Sequence, residues 1–367
     1  MASPRSSAGA RTLSGEYYTS QAVYDTETER IFGRRWLYVG LAASIPDPGR
    51  YEVVEIEGES LIIVRDRAGE IRCFHNVCRH RGTRLCDDRS GTITRHIVCP
   101  YHSWAYELTG ALAAAPTMDD VDGFDRADLS LHAVATFVWE GLVFVCFDKT
   151  PTPFEQAFAS IFSKFSAWRL PDLVPVHRTE YEVQANWKLL FQNYSECYHC
   201  PTLHPALNRL TPYRDSENDL ESGPALGGPM RLTAGSESMT MEGRACAAPL
   251  PGADGVSPRL VWYYVVFPSL FLSIMPDYVL VHRVRRRGPS ASTVVCEWMF
   301  HPSALKDDAF DPSGAIEFWD MTNRQDWRIC EQAQLGIASR AYTPGPYSDL
   351  ESMIAALDRE YLSALEK

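Results

Sequence analysis

The chain of 367 residues lacks an apolar run of the roughly 18 residues that a membrane-spanning helix needs. Positive charge is also short. Its 35 lysines and arginines stand against 47 aspartates and glutamates, a net charge of −12. A nucleic-acid binder would show a basic footprint, so the charge balance argues against that class. No Gly-x-Gly-x-x-Gly stretch occurs, so the chain encodes no dinucleotide fingerprint of that kind. Internal repeats and low-complexity blocks are missing too. The first fifteen residues are rich in Ser, Ala and Arg but have no apolar h-region, and are expected to be a frayed terminus rather than a signal peptide.

What is present is the composition of a soluble globular protein, 45% hydrophobic and 22% charged. The length exceeds one ordinary core and predicts two domains. Ten cysteines with no secretory leader ahead of them read as reduced thiols and metal ligands in the cytoplasm rather than as disulfides. The acidic surplus suits an electron donor with a basic docking face.

Ser20 is placed to cap a helix over 21–33 that Gly33 closes, and 36–39 reads as a short strand. From Tyr51 the pattern turns to β, with strands expected at 51–57, 61–65, 71–74, 92–98, 104–108 and 135–147. The expected division is an N-terminal arm and helix over 1–35, a β domain over 36–150, and a second domain over 151–367. A proline-bearing connection, 151–175, opens the second domain. A strand at 179–184 leads to Asn186, a plausible N-cap for a helix over 187–200. Residues 214–258 read as long loops over a site. Strands follow at 260–267, 270–274, 278–285 and 293–301, then a helix over 311–335, and a turn with a terminal helix over 342–367. Segregated strands and helices make the fold class α+β.

Two stretches carry metal chemistry. In the β domain, Cys78-Arg79-His80 and Cys99-Pro100-Tyr101-His102 each offer one thiol and one imidazole from a tight loop. That distribution matches a [2Fe–2S] centre in which two His replace two Cys on one iron. A structural zinc site uses the same residue types, but zinc fingers usually place both Cys in one pair and both His in the other. In the second domain, Glu196-Cys197-Tyr198-His199-Cys200-Pro201-Thr202-Leu203-His204 offers two imidazoles and a carboxylate. On the expected 187–200 helix Glu196 and His199 share a face with Leu189 and Asn193, and Pro201 ends the helix so that His204 can return. Two His and one carboxylate with open positions form the facial triad of non-haem Fe(II) oxygenases. The third ligand expected is Asp326. It lies on the stripe Trp319, Asn323, Asp326, Cys330 of the 311–335 helix, where an unpaired carboxylate is costly. Asp320 and Arg324 lie on another face, spaced for pairing. Cys197 and Cys200 have the spacing of a thioredoxin-type pair, but no strand followed by a helix start surrounds them, and a zinc site of Cys197, Cys200, His199 and His204 would leave Glu196 and Asp326 unexplained. The other histidines read as structural.

Cys-x-His-x-Gly, Cys-Pro-Tyr-His-Ser-Trp, Asn-Trp-Lys and Glu-x-x-His-x-x-x-x-His, in this order, resemble the α-subunits of Rieske non-haem iron oxygenases over roughly residues 17–365. Glu-Cys-Tyr-His-Cys and Thr322-Asn323-Arg324-Gln325-Asp326-Trp327 look most similar to the glycine betaine, choline and carnitine monooxygenase branch. The resemblance implies a Rieske antiparallel β domain and a helix-grip catalytic domain in which an antiparallel sheet holds a helix. It implies that Cys78, His80, Cys99 and His102 bind a [2Fe–2S] cluster and that His199, His204 and Asp326 bind mononuclear Fe(II). It further implies a head-to-tail homotrimer in which Glu196 bridges the iron site to His102 of a neighbouring copy. Tyr194, Tyr263, Phe267 and Phe271 are candidates to face a quaternary ammonium group.

The implied activity is O2-dependent hydroxylation of a small organic substrate, a quaternary ammonium compound in the first instance, leading to oxidative N-dealkylation. Electrons are expected from a separate flavin/iron–sulfur reductase fed by NAD(P)H. Aromatic ring hydroxylation or O-demethylation is the alternative within the same chemistry. From other classes, a Rieske electron carrier and a zinc hydrolase stand as rivals, which iron analysis and the electron paramagnetic resonance (EPR) spectrum separate.

Overall fold

The computed structural model describes residues 9–256 and 259–366, and the fold is α+β. The chain divides into two units, one of Gly33–Pro151 and one made by the residues on either side of it. No helix among the described residues is long and apolar enough to cross a membrane.

The 33–151 unit is built from short antiparallel strands. Leu37–Leu41, Leu142–Cys146 and Ala135–Trp139 form one sheet. The single strand expected over 135–147 is two, because Glu140 and Gly141 both take left-handed backbone angles and turn the chain into a hairpin. A second sheet runs Ile71–His75, Glu59–Arg65, Arg50–Ile56, Ser90–Thr92, and a third Ile97–Val98, Ala105–Tyr106, Leu112–Ala114. The strand expected over 92–98 is therefore split between two sheets. Ile62, Val64, Phe74, Ile97, Trp104, Tyr106 and Leu108 form the core, and Cys78 and Cys99 are buried among them.

The other unit is organised by a six-stranded antiparallel sheet in the order Val174–Val183, Ala291–Phe300, Val279–Gly288, Leu270–Ile274, Leu260–Val266, Ala225–Arg231. The last of these falls where only loops were expected. Gly227, Gly228 and Pro229 disguise it, since all three are rare in strands. At this edge they are tolerated, and side chains would clash. A Cβ on Gly227 would lie 2.0 Å from the Tyr263 carbonyl oxygen, and one on Gly228 would lie 1.9 Å from that of Glu217.

The long helix Ser313–Ile337 packs on this sheet. Trp298 Nε1 donates to Ala315 O, Trp319 Nε1 to the Tyr278 hydroxyl (2.7 Å), and the Tyr181 hydroxyl to Asp320 (2.8 Å). The pair expected on its outer face is present, with Arg324 Nε 2.8 Å from Asp320. Near the N-terminus, Ser20 caps Gln21–Glu27 by accepting from Val23 N, and Thr28–Phe32 continues it as a wider π turn. Glu27 at its end is fully buried and gathers Lys188 Nζ (2.5 Å), Trp187 Nε1 (3.0 Å), the Tyr361 hydroxyl (2.9 Å) and Arg286 (3.4 Å). One carboxylate so ties the first helices to the Trp187–Tyr194 helix, the sheet and the terminal helix Ser352–Glu366.

Candidate active site

Asn186 caps Trp187–Tyr194 by accepting from Lys188 N at 2.9 Å, as its position predicts. The helix then stops, six residues short of the expected end at 200. Glu196 is the reason. Its carboxylate folds back to accept from the backbone N–H groups of Tyr198 and His199, offering the chain a turn in place of helical bonds. Pro201 therefore does not end a helix but sits in the first turn of a new one, Cys200–Leu203, where its missing N–H costs nothing. Within the turn, Cys197 and Cys200 are joined as a disulfide, contrary to the expectation of free thiols. Their Cα atoms are 4.9 Å apart, inside the range a disulfide spans of about 4.4–6.8 Å, because Cys200 N bonds Cys197 O across the turn. The pairing also removes the thiolates that a zinc site at Cys197 and Cys200 would need.

Glu196 and His199 still meet as expected, now around a turn, with the His199 Nδ1–H donating to Glu196 Oε1 at 2.5 Å. His204 follows at the junction with Pro205–Leu210 and is buried. Asp326 arrives from the long helix. One donor atom from each of His199, His204 and Asp326 lies within 4.8 Å of the other two. Asp326 Oδ1 is 2.8 Å from His204 Nε2 and 3.4 Å from His199 Nε2. Both imidazoles thus present Nε2 to the carboxylate while Nδ1 is engaged elsewhere, by Glu196 for His199 and by Gln325 Oε1 for His204 (2.7 Å). Burial works against charging His199, but Asp326 and Glu196 outweigh it and raise the imidazole to about 10. Burial likewise disfavours the Asp326 carboxylate, yet hydrogen bonds from His199 and His204 hold it below its ordinary value. A half-buried anion facing two ring nitrogens is a cation site, and a metal there displaces protons. The donor set fits a ferrous ion with open positions.

The triad opens on a cleft enclosing about 940 Å³, part of it open to solvent and large enough for a small organic molecule. Tyr194, Tyr263, Trp319, Glu217, Thr322 and Met353 are among its walls, with the Leu226–Met230 stretch of the edge strand. Of the four aromatic candidates, Tyr194 and Tyr263 reach the cleft and the other two do not. Phe267 packs into the core against Trp187, and Phe271 stacks behind Tyr194 at 4.3 Å. Trp319 takes their place. Sequence spacing put it on the Asp326 stripe, and that was its one visible signal.

In the β unit the two loops are built alike. Cys78 O accepts from Gly82 N and Cys99 O from Ser103 N, and both fourth residues are left-handed. The thiols face inward, where Cys78 Sγ lies 3.4 Å from the Tyr106 hydroxyl, and burial pushes the Cys99 thiol up, with Cys78 beside it adding to the shift. The imidazoles face out, His80 and His102 with ring centres 4.7 Å apart and Trp104 stacked on His80. Two buried sulfurs and two exposed imidazoles suit an iron pair whose outer iron exchanges electrons with a partner.

Residues 35–125 match the Rieske [2Fe-2S] domain family, and residues 170–367 the ring hydroxylating alpha subunit (catalytic domain) family. The chain belongs to the Rieske non-haem iron oxygenases. The glycine betaine monooxygenase oxygenase subunit of Chromohalobacter salexigens is 34% identical over 93% of this chain and 82% of its own length. The carnitine monooxygenase oxygenase subunit of Acinetobacter baumannii is 34% identical over 53% of each chain. A crystal structure of the quaternary ammonium Rieske monooxygenase CntA with an inhibitor shares the fold, with a TM-score of 0.85 and 23% identity over 100% of this chain and 99% of that one. As a Rieske oxygenase the protein is an oxidoreductase with a [2Fe–2S] domain and a catalytic domain of the mononuclear iron type. The electron carrier and the zinc hydrolase fall away as readings.

Proposed function

We propose that this oxygenase hydroxylates a carbon bonded to a quaternary ammonium nitrogen, and that the product then undergoes N-dealkylation. In this reading His199, His204 and Asp326 hold the iron, and Cys78, His80, Cys99 and His102 hold the cluster. Bound there, the cluster passes single electrons and the iron activates O2. The observation that carries the reading is the triad, opening directly on a cleft walled by Tyr194, Tyr263 and Trp319. Aromatic faces attract a cation that cannot donate hydrogen bonds. Glu217 on the same wall adds a negative charge. The glycine betaine and carnitine named for the relatives are such cations.

The residues of the chain have separable tasks. Tyr263 and Trp319 orient the ammonium group so that one C–H faces the triad. Asp326 would balance the charge of a bound ferrous ion, and the turn that Glu196 closes by accepting from the Tyr198 and His199 N–H groups holds His199 and Glu196 together. Glu196 keeps His199 oriented and bridges toward His102 of a neighbouring copy. In the overall reaction a C–H becomes C–OH and the second oxygen atom leaves as water, with two electrons and two protons consumed. The hydroxylated carbon then loses its O–H proton as its bond to nitrogen breaks, giving an aldehyde and a tertiary amine.

The electrons come from a flavin/iron–sulfur reductase that uses NAD(P)H, the working unit is a homotrimer, and the compartment is the cytoplasm. The experiment is NADH consumption with a generic reductase across quaternary amines and aromatic acids, with aldehyde measured. Stoichiometric aldehyde from a quaternary amine is the expected result. Turnover confined to the aromatic acids would overturn the substrate class.

A further inference from the structure

Both imidazoles of the triad have their second nitrogen held by a side-chain oxygen, but not by the same kind. His199 Nδ1 meets the carboxylate of Glu196 at 2.5 Å, and His204 Nδ1 meets the amide oxygen of Gln325 at 2.7 Å. Gln325 immediately precedes Asp326 on Ser313–Ile337. Successive residues on a helix point about 100° apart, so they do not ordinarily serve one target. Here they do, because the buried His204 ring lies across the edge of the helix. Asp326 faces its Nε2 and Gln325 its Nδ1.

The direction of the amide matters. With Oε1 toward the ring, Gln325 accepts, the proton sits on Nδ1, and Nε2 keeps a lone pair for a metal. With the amide turned over, its NH2 would donate to Nδ1, force the proton onto Nε2 and block ligation. A carboxylate can only accept, so either oxygen acceptor selects the ligating tautomer. An apolar side chain selects neither.

We propose that Gln325 is a positioning residue that fixes the ring plane and the metal-binding tautomer of His204. It rests on the reading that the triad holds iron. Because Gln325 is neutral where Glu196 is anionic, His204 is the less electron-rich of the two imidazole ligands. The stronger donor is then His199, the one bonded to Glu196. Outer-shell partners of this kind are worth about 10–100-fold in metal affinity.

The test compares the full-length protein with Gln325→Leu and Gln325→Glu, reading ferrous affinity by chelator competition and the EPR spectrum of the nitric oxide adduct of the ferrous protein. Gln325→Leu is expected to weaken ferrous binding by about 10–100-fold and to change that spectrum, with the Rieske signal and melting temperature unchanged. Gln325→Glu is expected to restore the affinity to within a few-fold of the starting protein. Wild-type affinity and spectrum in Gln325→Leu would overturn the proposal, as would a Gln325→Glu variant as weak as Gln325→Leu. Should Gln325→Leu not fold, Gln325→Met decides by the same two readouts. A His204→Ala control separates the premise from the proposal. If it leaves ferrous binding intact, the triad reading itself fails. If it abolishes binding while Gln325→Leu does not weaken it, only the role of Gln325 fails.

Discussion

His204 Nε2 and Asp326 Oδ1 lie 2.8 Å apart although 122 residues separate them in the chain. The contact joins the turn after one helix to the middle of another, and His199 shares the same carboxylate oxygen. Asp326→Ala is expected to lose the lone iron and all turnover while the Rieske EPR signal stays at full intensity. Iron analysis with EPR on the same sample checks it, and retained turnover would remove Asp326 from the ligand set.

Glu196→Gln tests the bridge. The amide can still accept from His199 Nδ1, so both metal sites should stay loaded. Losing the carboxylate charge should slow oxidation of the reduced cluster by about 10–100-fold. Single-turnover stopped-flow of the reduced protein measures this, and an unchanged rate would leave Glu196 as a mere cap of the turn.

The sequence made the chemistry legible and the local geometry less so. His199, His204 and Asp326 could be named because residue type and spacing carry the requirement. A carboxylate on an apolar helix stripe is conspicuous wherever it lies. The early end of the Trp187–Tyr194 helix could not be read, since it depends on Glu196 turning its carboxylate onto the Tyr198 and His199 N–H groups, an outcome of side-chain competition. The edge strand was hidden by Gly227, Gly228 and Pro229, which local propensity assigns to loops. Gln325 stood out only as a member of the Thr322–Trp327 stretch and nothing pointed to its role, because an amide on a helix looks the same whether it meets solvent or a buried imidazole. Phe267 and Phe271 were indistinguishable from Tyr263 until the pleat of the sheet and the packing of Tyr194 assigned them to the core.

A second buried histidine predicts a pH dependence of stability. Burial lowers His282 from 6.5 to about 4, with Asn323 only partly opposing the shift. Between these values the unfolded chain binds the proton and the folded chain does not, so this residue makes stability rise with pH from about 4 to 6.5 and fall on acidification. Asp277 and Asp358, each raised to about 6 by burial, act in the opposite sense as pH rises from 3.8 to 6. Urea titrations of the protein and of His282→Gln isolate the term. The variant should show a shallower gain, or a steeper loss, of stability with rising pH across that window, and parallel curves would refute it.

Glu27 pairs with two buried cations, Lys188 and Arg286. Glu27→Ala removes the carboxylate that faces Lys188 and Arg286 and is expected to cost about 3–5 kcal/mol. Lys188 is already lowered to about 8 by burial, even with Glu27 raising it, and should fall further in the variant. Chemical denaturation measures the loss, and a change below about 1 kcal/mol would show that the network is not a stabilising junction.

Anomalous diffraction at the iron and zinc absorption edges of crystals of the purified protein tests the central claim most directly. The account predicts an iron peak bounded by His199, His204 and Asp326, and a separate iron pair between the Cys78–His80 and Cys99–His102 loops. Zinc at the triad, or an iron-loaded protein with no peak between those three side chains, would contradict it.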